Sequence, residues 1–387
     1  MKKNIPIIIL FVMLVISGIY AMNNRKIFLR NKEIEKREIK IKDNLVSESI
    51  FKDYYKKAKE KVNEMTVEEK VGQLFLVRYE KNDTTYLNNF YPGGYILFAK
   101  DFDNHTKEEM TKELKDLQGI SKYPLILGVD EEGGYVTRVS RYPAYRSEKF
   151  LSPKEYYNQG GYELLEKTEK EKADLLKSIG INLNLAPVAD ISTNEEDFMY
   201  IRSFGADADK TSEYISKMVG YANKNRINST LKHFPGYGNN ADTHTGIAID
   251  ERDYSVFEEN DYKPFKAGIE AKVPSILMSH NIVKCMDENT PASLSSKVVG
   301  ELRNKLGFSG IIMTDDLAMD AVKQYVEEGN AATLAIKAGN DMIITSDFVT
   351  MKNEVLKAVE ENKITEEELN TAVTRIIAWK YYSGLLK

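Results

Sequence analysis

Two stretches of the sequence carry residues that can transfer protons or attack an electrophilic centre. One runs over residues 232–238 (Lys-His-Phe-Pro-Gly-Tyr-Gly) and is followed by Asp242 and His244; the other is the pair Asp315 and Asp316. A histidine exchanges protons near neutral pH, and a nearby aspartate can fix its tautomer and stabilise its charged form. An Asp-x-His triplet is also common in solvated loops, so its spacing alone leaves both interpretations open.

The pair Asp315 and Asp316 follows the apolar run Gly310-Ile311-Ile312-Met313-Thr314. The first aspartate should end a strand and provide an anionic nucleophile. The second is predicted to cap or support the helix that begins near Leu317.

Three basic residues, Arg138, Arg202 and Lys232, can form a cationic clamp beside these groups. A carboxylate, a proton donor and hydroxyl-binding side chains together suit glycoside cleavage. That chemistry usually pairs two carboxyl groups. Here a second carboxylate on a suitable loop is not obvious, and the pair of Asp242 and His244 can supply the proton instead.

Short apolar runs alternate with longer amphipathic segments from about residue 50 onward. Eight runs have strand length and do not alternate strictly, which is typical of parallel strands buried on both faces. The runs are Gln73–Arg78, Gly94–Ala99, Pro124–Asp130, Ile181–Pro187, Ser229–Phe234, Ser275–His280, Gly310–Asp315 and Asp341–Thr345. They predict an α/β fold, a single (β/α)8 TIM-type barrel, with an open doubly wound sheet as the alternative. A Gly-x-Gly-x-x-Gly motif after the first run is absent, so the dinucleotide-binding form of that alternative lacks support.

Polar residues collect where these runs end. Asp130, Asp190, the pair Lys232-His233, His280 and the pair Asp315-Asp316 all follow predicted strands. Active sites of such barrels form at the carboxyl ends of the strands, so several such groups in one barrel predict a site there. The spacing of these histidines and aspartates fits no zinc motif, so we expect no metal and no organic cofactor.

The composition of the 387 residues is that of an ordinary globular protein, with 42% hydrophobic and 29% charged residues. The net charge of -5 and the lack of a basic block in the folded region argue against nucleic acid as a partner. The single cysteine, Cys285, excludes an internal disulfide framework and a multi-cysteine zinc site.

The N-terminus predicts a location. Lys2 and Lys3 precede an apolar run over residues 5–22, which has the minimum length of a membrane-spanning helix. We expect residues 1–22 to form a hydrophobic signal-anchor helix, residues 23–50 a charged linker, and residues 51–387 the barrel. The barrel would then lie outside the cytoplasm, anchored to the cell membrane; a cleaved secretory signal is the alternative.

Five motifs occur in the same order as in glycoside hydrolase family 3, and through them the chain resembles that family, in particular its β-N-acetylglucosaminidase branch. They cover about residues 60–385. They are Asp130-x-Glu132-Gly133-Gly134 with Arg138; Ala186-Pro187-Val188-x-Asp190; Arg202-Ser203-Phe204-Gly205; residues 232–238 with Asp242-x-His244; and residues 310–319, Gly-Ile-Ile-Met-Thr-Asp-Asp-Leu-Ala-Met. Tyr135 departs from the family pattern, where arginine is common, and so does Tyr237.

The resemblance implies a retaining exo-β-N-acetylglucosaminidase that acts on peptidoglycan- or chitin-derived oligosaccharides through a covalent glycosyl-enzyme. Asp315 would be the nucleophile, and His244, assisted by Asp242, the general acid and then base. The substrate-binding positions that it implies are Asp130, Arg138, Arg202, Lys232 and His233. A neutral base does not repel phosphate, so a GlcNAc phosphorylase is one alternative. A family β-glucosidase and a non-catalytic cell-wall-binding protein are two others.

Overall fold

Eight short parallel strands close into a barrel in the computed structural model, which describes residues 49–81, 85–240, 248–326 and 330–387. Each strand is the neighbour of the next one along the chain, and the last strand pairs with the first. In chain order the strands are β1 Phe75–Arg78, β2 Gly94–Leu97, β3 Ile126–Val129, β4 Leu183–Asn184, β5 Asn228–Phe234, β6 Ser275–Met278, β7 Ile311–Asp316 and β8 Met342–Thr345. Each lies within or overlaps one of the eight predicted runs, so the predicted barrel is confirmed and the open sheet is wrong.

The strands carry continuous apolar runs because both of their faces are covered. All four residues of β1, β2, β3, β6 and β8 are buried. Strands β5 and β7 are the longest, with seven and six residues. Their carboxyl ends carry the polar residues predicted to do chemistry.

Helices alternate with the strands and surround the barrel. The α-helices are Tyr55–Asn63, Val67–Gln73, Thr85–Phe90, Ala99–Phe102, Lys107–Ile120, Pro153–Ser178, Ala208–Lys224, Tyr254–Val256, Tyr262–Glu270, Ser296–Gly300, Asp320–Lys323, Ala331–Ala338, Phe348–Glu360 and Glu366–Tyr382. Two π-helical segments, Phe257–Asp261 and Glu301–Lys305, and two 3-10 turns, Lys52–Tyr54 and Ala292–Leu294, complete the helical structure of the described residues. Two further two-residue strands, Ile249–Asp250 and Ile282–Val283, pair outside the barrel.

Capping side chains decide where two of the helices begin. The charge spacing over Tyr54–Glu69 is typical of a single helix, but this segment is divided. Thr66 Oγ1 accepts a hydrogen bond from the backbone N–H of Glu69, and the Glu69 carboxylate accepts one from the backbone N–H of Thr66. This reciprocal capping box begins the helix Val67–Gln73. The same capping box at Thr365 and Glu368 begins the last helix.

The barrel belongs to one compact unit, Ser49–Lys387. Its last helix carries the only tryptophan, Trp379, which is fully buried and donates a hydrogen bond to Asn228 Oδ1 at 2.9 Å. The predicted anchor at residues 1–22 and most of the predicted linker lie outside the described residues. Within the described part, no helix is both long and apolar enough to cross a membrane.

Candidate active site

A pocket of about 400 Å³ lies at the carboxyl ends of the barrel strands. It brings together six of the eight residues predicted to form the site: Asp130, Arg138, Arg202, Lys232, His233 and Asp315. These residues come from sequence positions up to 185 apart, and only closure of the barrel makes them neighbours. The other two, Asp242 and His244, lie in residues 241–247, outside the described residues.

An ion-pair network forms one wall of the pocket. Lys232 Nζ lies 2.6 Å from Asp130 Oδ1 and 2.6 Å from Glu132 Oε1. Arg202 binds the same Glu132 carboxylate with two nitrogens, at 2.8 and 3.1 Å. A buried carboxylate shared by two cations in this way holds both cationic side chains in fixed positions.

The charges of this network stabilise one another. Burial alone raises the pKa of Glu132, but the charges of Lys232 and Arg202 outweigh it and hold that pKa below its usual range. Burial alone would lower the pKa of Arg202, but the charge of Glu132 outweighs burial, so that pKa is raised above its usual value. Glu132 and Arg202 therefore stay ionised at neutral pH, and their charges have fixed positions at the pocket.

The residues of the loop after β3 place Arg138 at the pocket. The Glu131 carboxylate is fully buried and accepts hydrogen bonds from the backbone nitrogens of Arg138 at 2.8 Å and Val139 at 2.7 Å. It also accepts a hydrogen bond from the Ser140 hydroxyl. The Arg138 guanidinium lies 4.0 Å from Asp130 Oδ2, so it faces the same carboxylate that Lys232 binds.

His233 is oriented by a buried carboxylate. Asp190 Oδ2 contacts His233 Nδ1 at 2.7 Å and accepts the His233 backbone N–H at 3.0 Å. Its other oxygen accepts the backbone N–H of Tyr237 at 2.7 Å. The second ring nitrogen of His233, Nε2, lies 3.5 Å from Arg202 Nη2. The peptide bond between Lys232 and His233 is cis, and both side chains line the pocket.

The two adjacent aspartates at the end of β7 differ in their surroundings. The Asp316 carboxylate accepts hydrogen bonds from the backbone of Ala318 at 2.9 Å and from the backbone and hydroxyl of Ser346 at 3.2 and 3.0 Å. Burial nevertheless raises its pKa. Asp316 thus supports the turn after the strand, as predicted, although Met319 rather than Asp316 precedes the helix Asp320–Lys323. Asp315 and Asp316 both line the pocket, and Asp315 Oδ1 accepts the backbone N–H of Asp316 at 2.8 Å.

The chain leaves the pocket through a turn that is packed against two acidic side chains and one arginine. Gly236 and Gly238 have positive φ values of 125° and 60°, which favour glycine. A Cβ atom on Gly236 would overlap the Asp261 carboxylate, and one on Gly238 would lie 2.6 Å from Arg252 Cζ. Arg252 in turn binds Asp250 at 2.8 Å and Asp261 at 3.1 Å.

Sequence reasoning missed several residues that shape the site. Glu132 was visible only as part of a motif, although it binds two of the three predicted cations. The pocket is also lined by three aromatic side chains, Phe98, Tyr135 and Phe198. The spacing of polar residues gives no signal for such aromatic residues: Tyr135 was visible only as a departure from the family pattern, and the fold is what places all three at the pocket.

Zinc ligation through His233, His280 and Asp190 finds no support in the geometry. Asp190 contacts His233 directly, while the nitrogens of His280 contact Ser293 Oγ at 2.8 Å and the Asp316 carbonyl at 3.1 Å. Among the residues that the structure describes, no group of three or more histidines, cysteines or acids could hold a metal ion.

Comparison with known proteins agrees with this arrangement. The family model "Glycosyl hydrolase family 3 N terminal domain" matches residues 66–379. A beta-hexosaminidase of Nitrosomonas eutropha is 29% identical over 292 residues, which are 72% of this chain and 81% of that protein. A beta-hexosaminidase of Methylobacillus flagellatus is 30% identical over 271 residues, 68% of this chain and 76% of that protein. The solved structure of a glycoside hydrolase family 3 beta-N-acetylglucosaminidase from Paenibacillus sp. str. FPU-7 gives a TM-score of 0.76 at 27% identity, covering 83% of this chain and 63% of that one.

Proposed function

The chain belongs to glycosyl hydrolase family 3 and is a glycoside hydrolase, and we propose that it is a retaining exo-β-N-acetylglucosaminidase. The observation that carries this proposal is the pocket that Asp315 lines together with a fixed cluster of charged side chains at the carboxyl ends of the strands. A sugar ring presents several hydroxyl groups and one electrophilic carbon, which suits such a combination. The names of the two beta-hexosaminidase relatives and of the Paenibacillus structure favour N-acetylglucosamine as the sugar.

In the proposed mechanism Asp315 is the nucleophile. Its carboxylate attacks the anomeric carbon, forming a glycosyl-enzyme bond while the bond to the leaving oxygen breaks. His244, oriented by Asp242, donates its proton to that oxygen. It then takes a proton from the water that hydrolyses the intermediate, so both steps return the enzyme to its starting state. This sequence conserves the stereochemistry at the anomeric carbon.

The remaining predicted residues would bind the sugar. Asp130, held by Lys232, can accept hydrogen bonds from two sugar hydroxyls, and Arg138 and Arg202 can donate to hydroxyl or carbonyl oxygens. His233 presents a ring fixed by Asp190. Because these groups are held by one another before substrate arrives, binding requires little reorganisation.

A trapping experiment tests both the sugar and the nucleophile. We expect a 5-fluoro N-acetylglucosaminyl fluoride to leave a covalent adduct on the peptide that contains Asp315, detectable by mass spectrometry. An adduct on another peptide would refute the nucleophile assignment. Turnover of p-nitrophenyl β-glucoside but not of the β-N-acetylglucosaminide would refute the assignment of the sugar.

Product analysis and ligand binding separate the remaining alternatives. Release of N-acetylglucosamine 1-phosphate in phosphate buffer would identify a phosphorylase. Tight binding of N-acetylglucosamine without turnover would identify a binding protein.

We propose a location outside the cytoplasm, anchored to the cell membrane. It rests on the apolar run over residues 5–22. The N-terminal peptide of the protein recovered from membranes and from the medium tests it. A protein that begins at Met1 in the membrane fraction supports the anchor, and one that begins beyond residue 22 in the medium supports a cleaved signal.

A further inference from the structure

Three aromatic rings line the pocket, and they differ in what holds them. Phe98 lies under two guanidinium groups, with its ring centroid 4.5 Å from Arg78 Cζ and 5.4 Å from Arg138 Cζ. Phe198 packs against Tyr237 with ring centroids 5.9 Å apart. No hydrogen bond or ring contact to another described residue involves the Tyr135 side chain. It is therefore the one aromatic of the pocket lining without a protein partner in the described residues.

Tyr135 also stands at the exposed end of the pocket. The exposed fraction of the side chain is 3% for Lys232 and 24% for Arg138, whereas the Tyr135 residue is 71% exposed. The exposed fraction thus increases from the charged wall of the pocket toward Tyr135. A single exposed aromatic needs no explanation on most surfaces, but this one lies at the entrance of the pocket where we place the reaction.

The backbone on both sides of Tyr135 is fixed. Gly134 donates a hydrogen bond to the Phe150 carbonyl at 2.9 Å, and its own carbonyl accepts one from Lys149 Nζ at 3.0 Å. Gly133 donates to the Val136 carbonyl at 3.1 Å, closing a tight turn around Tyr135. An unpartnered ring on a fixed turn is a preorganised binding surface, because little backbone freedom is lost when a ligand binds to it.

From these observations we propose that Tyr135 forms the binding surface for the leaving group, and that its ring stacks on the pyranose ring of the sugar that follows the scissile bond. The inference rests on the proposed function. If the terminal sugar binds at the buried charged wall beside Lys232 and Asp130, the next sugar extends toward Tyr135 at the exposed end of the pocket. A pyranose ring presents C–H groups on its faces, which pack against the negative face of an aromatic ring.

The test compares two substrates that share the terminal sugar and differ in the leaving group. One is the β-1,4-linked disaccharide of N-acetylglucosamine; the other is methyl β-N-acetylglucosaminide, whose leaving group has no ring. We expect Tyr135→Ala to lower kcat/KM for the disaccharide about fivefold, the effect of a typical aromatic contact, and to leave kcat/KM for the methyl glycoside unchanged. Tyr135→Phe, which keeps the ring and loses the hydroxyl, should behave as the unmodified protein with both substrates.

Two results would overturn the inference. Equal loss with both substrates would mean that Tyr135 shapes the site as a whole, and equal loss in the Phe and Ala variants would mean that the hydroxyl, not the ring, binds. Tyr157→Ala removes another exposed aromatic, which lies outside the pocket lining and packs against Tyr162 and Phe204, and serves as a control for the loss of a surface ring. If the unmodified protein cleaves neither the disaccharide nor the methyl glycoside, the proposed function is refuted instead. Failure of the proposed function is therefore distinguishable from failure of the inference about Tyr135.

Discussion

Glu132 is the residue on which the charged wall of the pocket depends, and Glu132→Gln tests that dependence. The substitution keeps the shape of the side chain and removes one negative charge that faces Lys232 and Arg202. Both cations are almost fully buried and would be left with less compensation. Breaking a buried pair from one side costs about 3–5 kcal/mol, since the remaining charge is desolvated without its partner.

The structure favours the lower end of that range. Lys232 keeps a second carboxylate, Asp130, at 2.6 Å, so only Arg202 loses its single ionic partner among the described residues. We therefore expect the free energy of unfolding to fall by about 3 kcal/mol and the melting temperature by roughly 4 °C. The single tryptophan, Trp379, is fully buried and distant in sequence from the network, so its fluorescence during urea or thermal unfolding provides the measurement.

The pH dependence gives a sharper criterion. The pKa of Glu132 is held below its ordinary value, so its contribution to stability is present above the unfolded pKa and is lost as pH falls toward the folded pKa. The stability difference between the unmodified protein and Glu132→Gln should be constant from pH 8 to about pH 5, and should shrink below about pH 4.5.

A matched control uses an exposed pair. Glu166 lies 2.5 Å from Lys224, and its side chain is 41% exposed. Such a pair contributes about 0–1 kcal/mol, so Glu166→Gln should change stability little. If Glu132→Gln were no more destabilising than this control, or if its effect did not change in acid, the charged network would not have the importance that its geometry indicates.

Three further predictions concern the pocket and its margin. Asp315→Ala should lower kcat by roughly 10³-fold or more, because the glycosyl-enzyme cannot form, while the melting temperature stays within a few degrees; unchanged kcat would refute the assignment. Gly236→Ala should lower the free energy of unfolding by about 2 kcal/mol or more, since its Cβ would overlap the Asp261 carboxylate at a φ of 125°; Gly119→Ala, where the Cβ meets nothing within 4 Å, is the control. Burial raises the pKa of Asp261 to about 6, although Arg252 opposes this. A raised carboxyl pKa contributes stability that is lost as pH rises, so the unmodified protein should lose stability relative to Asp261→Asn between about pH 4 and pH 6, as measured by urea unfolding; a flat difference would contradict the prediction.

The barrel could be predicted from the sequence because its strands are buried on both faces. Strands such as β6 and β8 are mostly apolar, and a polar residue stands at or just after the end of each. Topology then places all those ends on one side, so the meeting of Asp130, Lys232 and Asp315 in one pocket follows from strand order alone.

Strand β4 shows where this reasoning loses precision. The predicted run Ile181–Pro187 forms a strand only over Leu183–Asn184. Pro187 has no N–H to donate to a ladder. The segment continues beside β5 through a single bridge between Val188 and Lys232. Apolar composition therefore locates the strand but not its end.

The partners of Glu132 could not be predicted, because nothing local in the sequence couples them. Arg202 is 70 residues away along the chain, and Lys232 follows 30 residues later. A glutamate two residues after a strand-ending aspartate is equally compatible with a solvated loop. Its burial and its two cationic partners arise only when β5 and the segment before the helix Ala208–Lys224 close against the loop after β3.

The neighbouring aspartates Asp315 and Asp316 show how the structure distinguishes two residues that composition cannot. Both lie at the end of β7 and line the pocket, and they differ in the hydrogen bonds that their carboxylates accept. The Asp316 carboxylate accepts three hydrogen bonds from Ala318 and Ser346, and its raised pKa favours its neutral form. Both aspartates line the pocket with Lys232 and Arg202, and the hydrogen bonds that commit the Asp316 carboxylate to the turn favour Asp315 as the nucleophile. The support that Asp316 gives to the turn is also what fixes the end of β7, so the division of roles between the two residues positions the proposed nucleophile.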